Sequence, residues 1–284
     1  MNSVLACIDG LARTAPVGDY AVWASSRLSA PLVFLHVLDQ HPERTDVADF
    51  SGAIGLGAQE TLLEQLGSLD EQRSKLAQEH GRQLLQAAKV RAEQAGVTHA
   101  DVLQRHGPLV ENLIDLEANC RLVVLGQHES PGGYSKWHLD QNAERVVRSL
   151  QRPVMVVSGQ FREPSRFVIA FDGSRTGKIM LQTVADSPLL KGLACHVLTV
   201  GDDSHGTQAN LAWASAALQS AGFSVQTAVR QGDADTTINE YLHQVQGDLL
   251  VMGAYGHSRI RHLVMGSTTS ALLRTSPVPV LVLR

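Results

Sequence analysis

Four short apolar runs occur twice along this chain, in the same order, and that duplication limits the fold more than any other feature. VLACID at Val4 to Asp9 returns as FVIAFD at Phe167 to Asp172, and each is followed by a glycine, Gly10 and Gly173. LHV at Leu35 to Val37 returns as LTV at Leu198 to Val200, at the same distance from its aspartate. LVVLG at Leu122 to Gly126 matches LLVMG at Leu249 to Gly253, and RPVMVV at Arg152 to Val157 matches VPVLVL at Val278 to Leu283. The chain is two copies of one unit.

Each copy holds five strand-like runs separated by helical patterns. In the first they fall near Val4–Asp9, Leu32–Leu38, Ala100–Gln104, Arg121–Gly126 and Val154–Ser158; in the second near Arg166–Asp172, Cys195–Val200, Val225–Gln231, Asp248–Gly253 and Val278–Leu283. Alternation of this kind predicts an α/β fold, two tandem doubly wound five-stranded parallel sheets with right-handed crossovers and helices on both faces. The expected domains are 1–160 and 161–284, joined by Phe161 to Ser165 with Pro164 inside the link. Aromatic residues make up only 5% of the chain, so aliphatic side chains must fill the interior. The main irregularity is His41 to Gly67, whose Gly52, Gly55 and Gly57 follow a second strand at the wrong spacing for a dinucleotide fingerprint and read as a lid or packing loop. A long helix is expected from about Ser68 to Ala95.

The candidate site lies in the second copy. After the apolar run that ends at Gly253 come Gly256 and, nine residues on, Gly266, Ser267 and Thr268, ahead of a helical segment. Glycines let a backbone curl close to a ligand, and the free N–H groups at a helix start point at an anion. Ser267 and Thr268 can cap the helix or donate hydroxyls to a phosphate. His257, Arg259, Arg261 and His262 lie between, and from Leu249 to Arg284 there is no Asp or Glu. In an open α/β sheet ligands bind where the winding reverses, at the carboxyl ends of the strands; in a strand order that puts strands one and four side by side at that point, Asp172 would stand beside Gly253. Asp172 could accept from an exocyclic amine or order the pocket; Asp-Gly-Ser is also ordinary turn chemistry.

Gly253, Gly256, Gly266 and Ser267 stand at the spacing G-2x-G-9x-G-[S/T]. That resembles, residue for residue, the nucleotide signature of the ATP-binding branch of the universal stress protein family. The resemblance implies a five-stranded parallel domain of strand order 3-2-1-4-5 that binds ATP, often as a dimer paired through strand five, with little established turnover. Two copies in one chain would then mimic that dimer as a pseudo-twofold pair. By the same resemblance the positions of Asp172 and Val200 contact adenosine, with Gly173 in the adjoining turn. Phosphates would rest on the N–H groups of Gly256, Gly266, Ser267 and Thr268, with His257 and Arg259 near the γ end and Mg²⁺ held through phosphate oxygens.

The first copy lacks the signature. Asp140, Gln141 and Asn142 stand where the second has Gly266, Ser267 and Thr268, and Glu129 replaces the middle glycine. A carboxylate about 4 Å from a phosphate charge costs roughly 4 kcal/mol at an effective dielectric of about 20, or about a thousandfold in affinity. One adenine-nucleotide site per chain is therefore expected, with the first domain as structural partner, although Asp9 is retained there.

Other classes fare worse. Gly173 to Lys178 has three residues between its glycines rather than the four of a phosphate-binding P-loop, and Ile179 stands where Ser or Thr is required. No G-x-S-x-G nucleophile is present. Slow ATP hydrolysis with Asp172 or His257 orienting water, and a scaffold that binds no nucleotide, are the alternatives to a nucleotide-dependent sensor. The net charge of −4 argues against nucleic acid. Cys7, Cys120 and Cys195 have no metal-ligand spacing and read as reduced buried thiols, consistent with a cytoplasmic location. No run approaches the roughly 18 apolar residues of a membrane span. His36 and His196 read as core residues, and a further homodimer or protein partner is left open.

Overall fold

The computed structural model describes residues 2–38, 56–127, 140–254 and 267–284. The first repeat runs β1 (Ser3–Cys7), α1 (Thr14–Leu28), β2 (Leu32–Leu38), α2 (Leu56–Gln94), β3 (Ala100–His106), α3 (Leu109–Leu116), β4 (Cys120–Gly126), α4 (Asp140–Ser149) and β5 (Val154–Val157). The second runs β6 (Arg166–Ala170), α5 (Arg175–Asp186), β7 (Ala194–Val200), α6 (His205–Ser220), β8 (Val225–Arg230), α7 (Ala234–Val245), β9 (Leu249–Gly253), α8 (Ser267–Thr275) and β10 (Val280–Leu283).

The strands form one sheet in the order β3-β2-β1-β4-β5-β10-β9-β6-β7-β8. Within each half every pairing is parallel and the order is 3-2-1-4-5. The halves meet where β5 and β10 pair antiparallel, Val154 opposite Val282 and Met155 opposite Leu281. The two five-stranded sheets are thus zipped edge to edge into a single ten-stranded one. Joining them hides one strand edge of each half, β5 and β10, so that β3 and β8 are left as the rims. Those two strands are mostly half-buried or exposed, whereas β4, β5 and β10 are buried almost throughout.

One face of the sheet carries α1, α2, α5 and α6, the other α3, α4, α7 and α8. The first core includes Val17 and Tyr20 of α1, Leu85 of α2, Met180 of α5 and Leu211 of α6; it is continuous across both halves. The second joins Leu113 of α3, Val146 of α4, Ile238 of α7 and Leu272 of α8. Each fully buried Leu, Ile or Met side chain contributes roughly 1.5–3 kcal/mol. On the second face α4 touches α8, with Glu144 and Arg274 3.5 Å apart.

Helix α2 begins twelve residues before the sequence predicts, at Leu56 rather than about Ser68. Gly57 and Gly67 therefore lie inside a helix, although each costs it about 1 kcal/mol relative to alanine; the Leu-, Gln- and Glu-rich sequence around them supplies strong helix formers. The remainder of the expected lid, residues 41–55, lies outside the described residues, so that expectation rests on sequence alone. His36 is buried with Nδ1 2.8 Å from the carbonyl of Ile8, and buried His196 sets its Nδ1 3.1 Å from the Tyr241 hydroxyl. Both are core residues with Nδ1 satisfied, as read from their apolar surroundings. All three cysteines are unpaired with one another.

Candidate nucleotide site at the strand ends of the second repeat

The winding of the second half reverses between β6 and β9, which pair in register with Ala170 opposite Met252. On the other side of β6, Ala170 lies opposite Leu198 of β7. Continuing each strand by a residue or two brings Asp172, Val200 and Gly253 to one edge of the sheet. Phe171 is held there by its N–H donating to Leu198 O at 2.8 Å and by the Thr199 hydroxyl donating to its carbonyl at 2.8 Å. The matching clamp in the first repeat is His36 on Ile8.

Asp172 starts a tight turn into α5. Its Oδ1 accepts from Ser174 N at 3.0 Å, Gly173 takes φ +71°, and Ser174 caps the helix by accepting from Gly177 N at 3.0 Å. A side chain on Gly173 would meet Asn210 Nδ2 at 2.6 Å, so α6 closes on that turn. Turn chemistry therefore occupies one oxygen of Asp172. The residue is exposed, and Oδ2 accepts from no described residue.

The same turn in the first repeat is tied more tightly. Asp9 Oδ1 accepts from Leu11 N at 2.9 Å and from the Thr14 hydroxyl at 3.1 Å, and that hydroxyl also accepts from Gly10 N. At the repeat spacing Thr14 corresponds to Gly177, where a Cβ would lie 2.6 Å from Asp172 Oδ1. Arg13 corresponds to Thr176. The Arg13 side chain covers Gly126, with its Cβ 2.8 Å from where a Gly126 Cβ would stand, while a Cβ on Gly253 would meet nothing within 4 Å among the described residues. Among the described residues, Gly253 is thus the less covered of the two glycines.

Helix α8 must run back from the carboxyl end of β9 to enter β10 in parallel, so its first turn faces the edge that holds Gly253. Ser267 is its first residue and is exposed, Thr268 is half-buried, Thr269 is buried, and no acidic residue lies in that turn. Gly256, His257, Arg259 and Gly266 lie outside the described residues. Sequence reasoning overlooked Gly177, Thr176 and Asn210; setting the two repeats side by side at Thr14 and Arg13 was the signal that could have found the first two.

At the corresponding edge of the first repeat is a cavity of about 230 Å³, lined by Cys7, Asp9, Leu35, Pro108 and Gly126 among others. Burial, the neighbouring Cys120 and then Asp9 push the Cys7 thiol well above its usual range. It is a poor nucleophile there. No group of three or more His, Cys, Asp or Glu side chains among the described residues could hold a metal. Among those residues no helix is long and apolar enough to cross a membrane.

Comparison with known proteins gives consistent results. The profile of the universal stress protein family matches residues 1–158 and 203–284. Universal stress protein Slr1230 of Synechocystis sp. (strain ATCC 27184 / PCC 6803 / Kazusa) is 37% identical over 287 positions, covering 100% of both chains. A universal stress protein of Archaeoglobus fulgidus DSM 4304 has a similar structure, with a TM-score of 0.73 at 19% identity over 100% of this chain and 96% of that one. A putative universal stress protein of Pseudomonas aeruginosa UCBPP-PA14 gives 0.64 at 16% identity over 100% and 93%. At such identities the structural likeness speaks to the fold.

Proposed function

Since the chain belongs to the universal stress protein family, we propose that it is an adenine-nucleotide-dependent regulator of the stress response, with ATP bound once per chain in the second repeat. Residues 161–284 form the binding domain and residues 1–160 its structural partner. Adenosine lies against Asp172, Gly173 and Val200, and the triphosphate follows Gly253 to the loop of Gly256, His257 and Arg259 and the helix start at Gly266, Ser267 and Thr268. The free oxygen of Asp172 accepts a hydrogen bond from the ligand. Backbone N–H groups of the glycine loop and α8 carry the phosphate charge, and Mg²⁺ is coordinated through phosphate oxygens. Nucleotide occupancy then biases the conformation or the partners of the molecule in the cytoplasm.

The observation that most supports this reading is the difference between the repeats at equivalent positions. Thr14 donates to Asp9 Oδ1 and Arg13 packs its Cβ against Gly126, whereas at the equivalent positions Gly177 brings no hydroxyl to Asp172 and, among the described residues, nothing lies within 4 Å of a Cβ on Gly253. The fit is chemical as well: an acid-free helix start suits an anion, and an exposed carboxylate oxygen suits an amine donor.

Isothermal calorimetry on protein purified free of nucleotide tests the proposal. Saturable ATP binding at one site per chain, weakened about a thousandfold by Gly266→Asp, is expected from the charge argument. Equal binding by that variant would refute the assignment, and no binding to the wild type would turn the reading toward a nucleotide-independent scaffold.

A further inference from the structure

The antiparallel seam creates two related crevices on the α1/α5 face, and the two have different fates. In one, the link between repeats fills the space. Phe161 packs edge-on against Tyr20 with ring centroids 4.8 Å apart, and Arg162 N donates to the Tyr20 hydroxyl at 3.3 Å. Nearby, one carboxylate oxygen of Asp248 accepts from Ser165 N, the Ser165 hydroxyl and Arg166 N at 2.9, 2.8 and 3.0 Å. That crevice is plugged by the chain itself.

The related crevice is open among the described residues. It has a volume of about 390 Å³ and lies between the end of α1, the starts of β4 and β5, and the end of α5. Thr183 stands there at the repeat position of Tyr20. Leucine side chains, Leu189, Leu190 and Leu281 among them, form its walls. Its size and apolar lining are those of small-molecule clefts, which run roughly 300–1,000 Å³ and favour domain boundaries.

Its polar groups are specific to this side of the seam. Arg121 and Arg152 line the crevice, where the related positions in the plugged one are Asp248 and Val278. Arg121 Nη1 donates to Leu28 O at 3.1 Å and forms no ion pair among the described residues. Arg152 is half-buried, and its backbone N–H donates to Glu117 Oε1 at 2.9 Å, but its guanidinium has no hydrogen bond or ion pair with any described residue. Asp186 is the one carboxylate on the lining, with Oδ1 accepting from Gln182 Nε2 at 3.0 Å. Two guanidiniums against one carboxylate leave a net positive charge in an apolar cleft. Guanidinium forks favour carboxylates, which they hold by paired, charge-assisted hydrogen bonds.

We propose that this seam crevice binds a small organic carboxylate with an apolar, ring-sized body, the carboxylate on Arg152 and Arg121 and the body against the leucines where the other crevice receives Phe161. The site is separate from the strand-end edge of the second repeat and independent of whether a nucleotide binds there. A ligand bridging α1, β5 and α5 would brace the contact between the repeats.

The test uses the full chain and two probes of nearly one shape, 3-phenylpropanoate and the neutral 3-phenylpropanamide, titrated by ligand-observed NMR and calorimetry. Expected are saturable binding of the acid, at least tenfold weaker binding of the amide, and at least a tenfold loss for the acid in Arg152→Gln. Thr183→Trp, which supplies from the protein the aromatic group that Tyr20 and Phe161 place in the related crevice, should abolish binding of both probes. Circular dichroism and melting curves establish that each variant is folded, and Thr183→Trp leaves the arginines intact should Arg152→Gln prove unstable. Equal affinity for acid and amide, unchanged binding in folded Arg152→Gln or Thr183→Trp, or no saturable binding of the acid would each overturn the proposal.

Discussion

Replacing Leu281 by alanine tests whether the two repeats unfold as one body. Leu281 is 2% exposed, pairs across the seam with Met155, and belongs to the core shared by both halves. Leu→Ala in a core costs about 2–5 kcal/mol, the larger values arising where a cavity stays empty. Here the deleted atoms border the seam crevice, which water can enter, so the cost should fall near the lower end, about 2.5 kcal/mol. If all 284 residues melt together, each kcal/mol moves the midpoint by about 2 °C, giving a drop of about 5 °C. A repeat melting alone would shift by about 4 °C per kcal/mol, giving about 10 °C in one transition only. Trp23 in α1 and Trp213 in α6 report separately on the two halves in variants that retain one or the other. Coincident curves from both probes, displaced equally, are expected. A displacement seen by Trp213 while Trp23 reports an unmoved transition would refute a common core.

Further outcomes follow from individual groups. Asp172→Ala should weaken ATP binding about tenfold, the worth of one charge-assisted hydrogen bond, read by calorimetry on folded protein. Burial, and then the nearby Arg166, lower the pKa of His196, so the folded state resists a proton that the unfolded chain takes up near pH 6.5. The associated stability is present above pH 6.5 and declines as pH falls below it; urea midpoints of wild type and His196→Gln between pH 5 and 7.5 should therefore diverge, with the variant less pH-dependent. Burial pushes Cys120 up to about 11 and Cys195 up to about 12, and Cys7 is raised as well. Thiol titration at pH 8 should accordingly be slow on folded protein and yield three equivalents at once in denaturant.

The fold was legible because its strands are buried on both faces. Runs such as Leu122 to Gly126 and Leu249 to Gly253 carry no alternation to confuse them with amphipathic elements, and their recurrence in order disclosed the duplication. The start of α2 was missed because Gly57 and Gly67 are local helix breakers, and tertiary setting outweighed them. Around the candidate site, the alignment of Asp172, Val200 and Gly253 at one edge follows from strand register, which a parallel βαβ order fixes in advance. The contrast between Thr14 and Gly177 was harder to read. Its meaning depends on how a hydroxyl reaches an aspartate five residues earlier, a relation that neither spacing nor composition reports. The seam arginines were equally hidden, because Arg121 and Arg152 are far apart in sequence and meet only once β4 and β5 are laid side by side.

The pairing of β5 with β10 inside one polypeptide also changes how the molecule can diverge. In an assembly of identical subunits a single base change alters both halves of every interface, so a new contact must suit itself twice. A covalently tied pair is free of that constraint, and its partners remain at an effective concentration of about millimolar however dilute the protein becomes. Arg152 at the repeat position of Val278, and Thr14 at that of Gly177, are the marks of that freedom: each half specialises while the other preserves the joint.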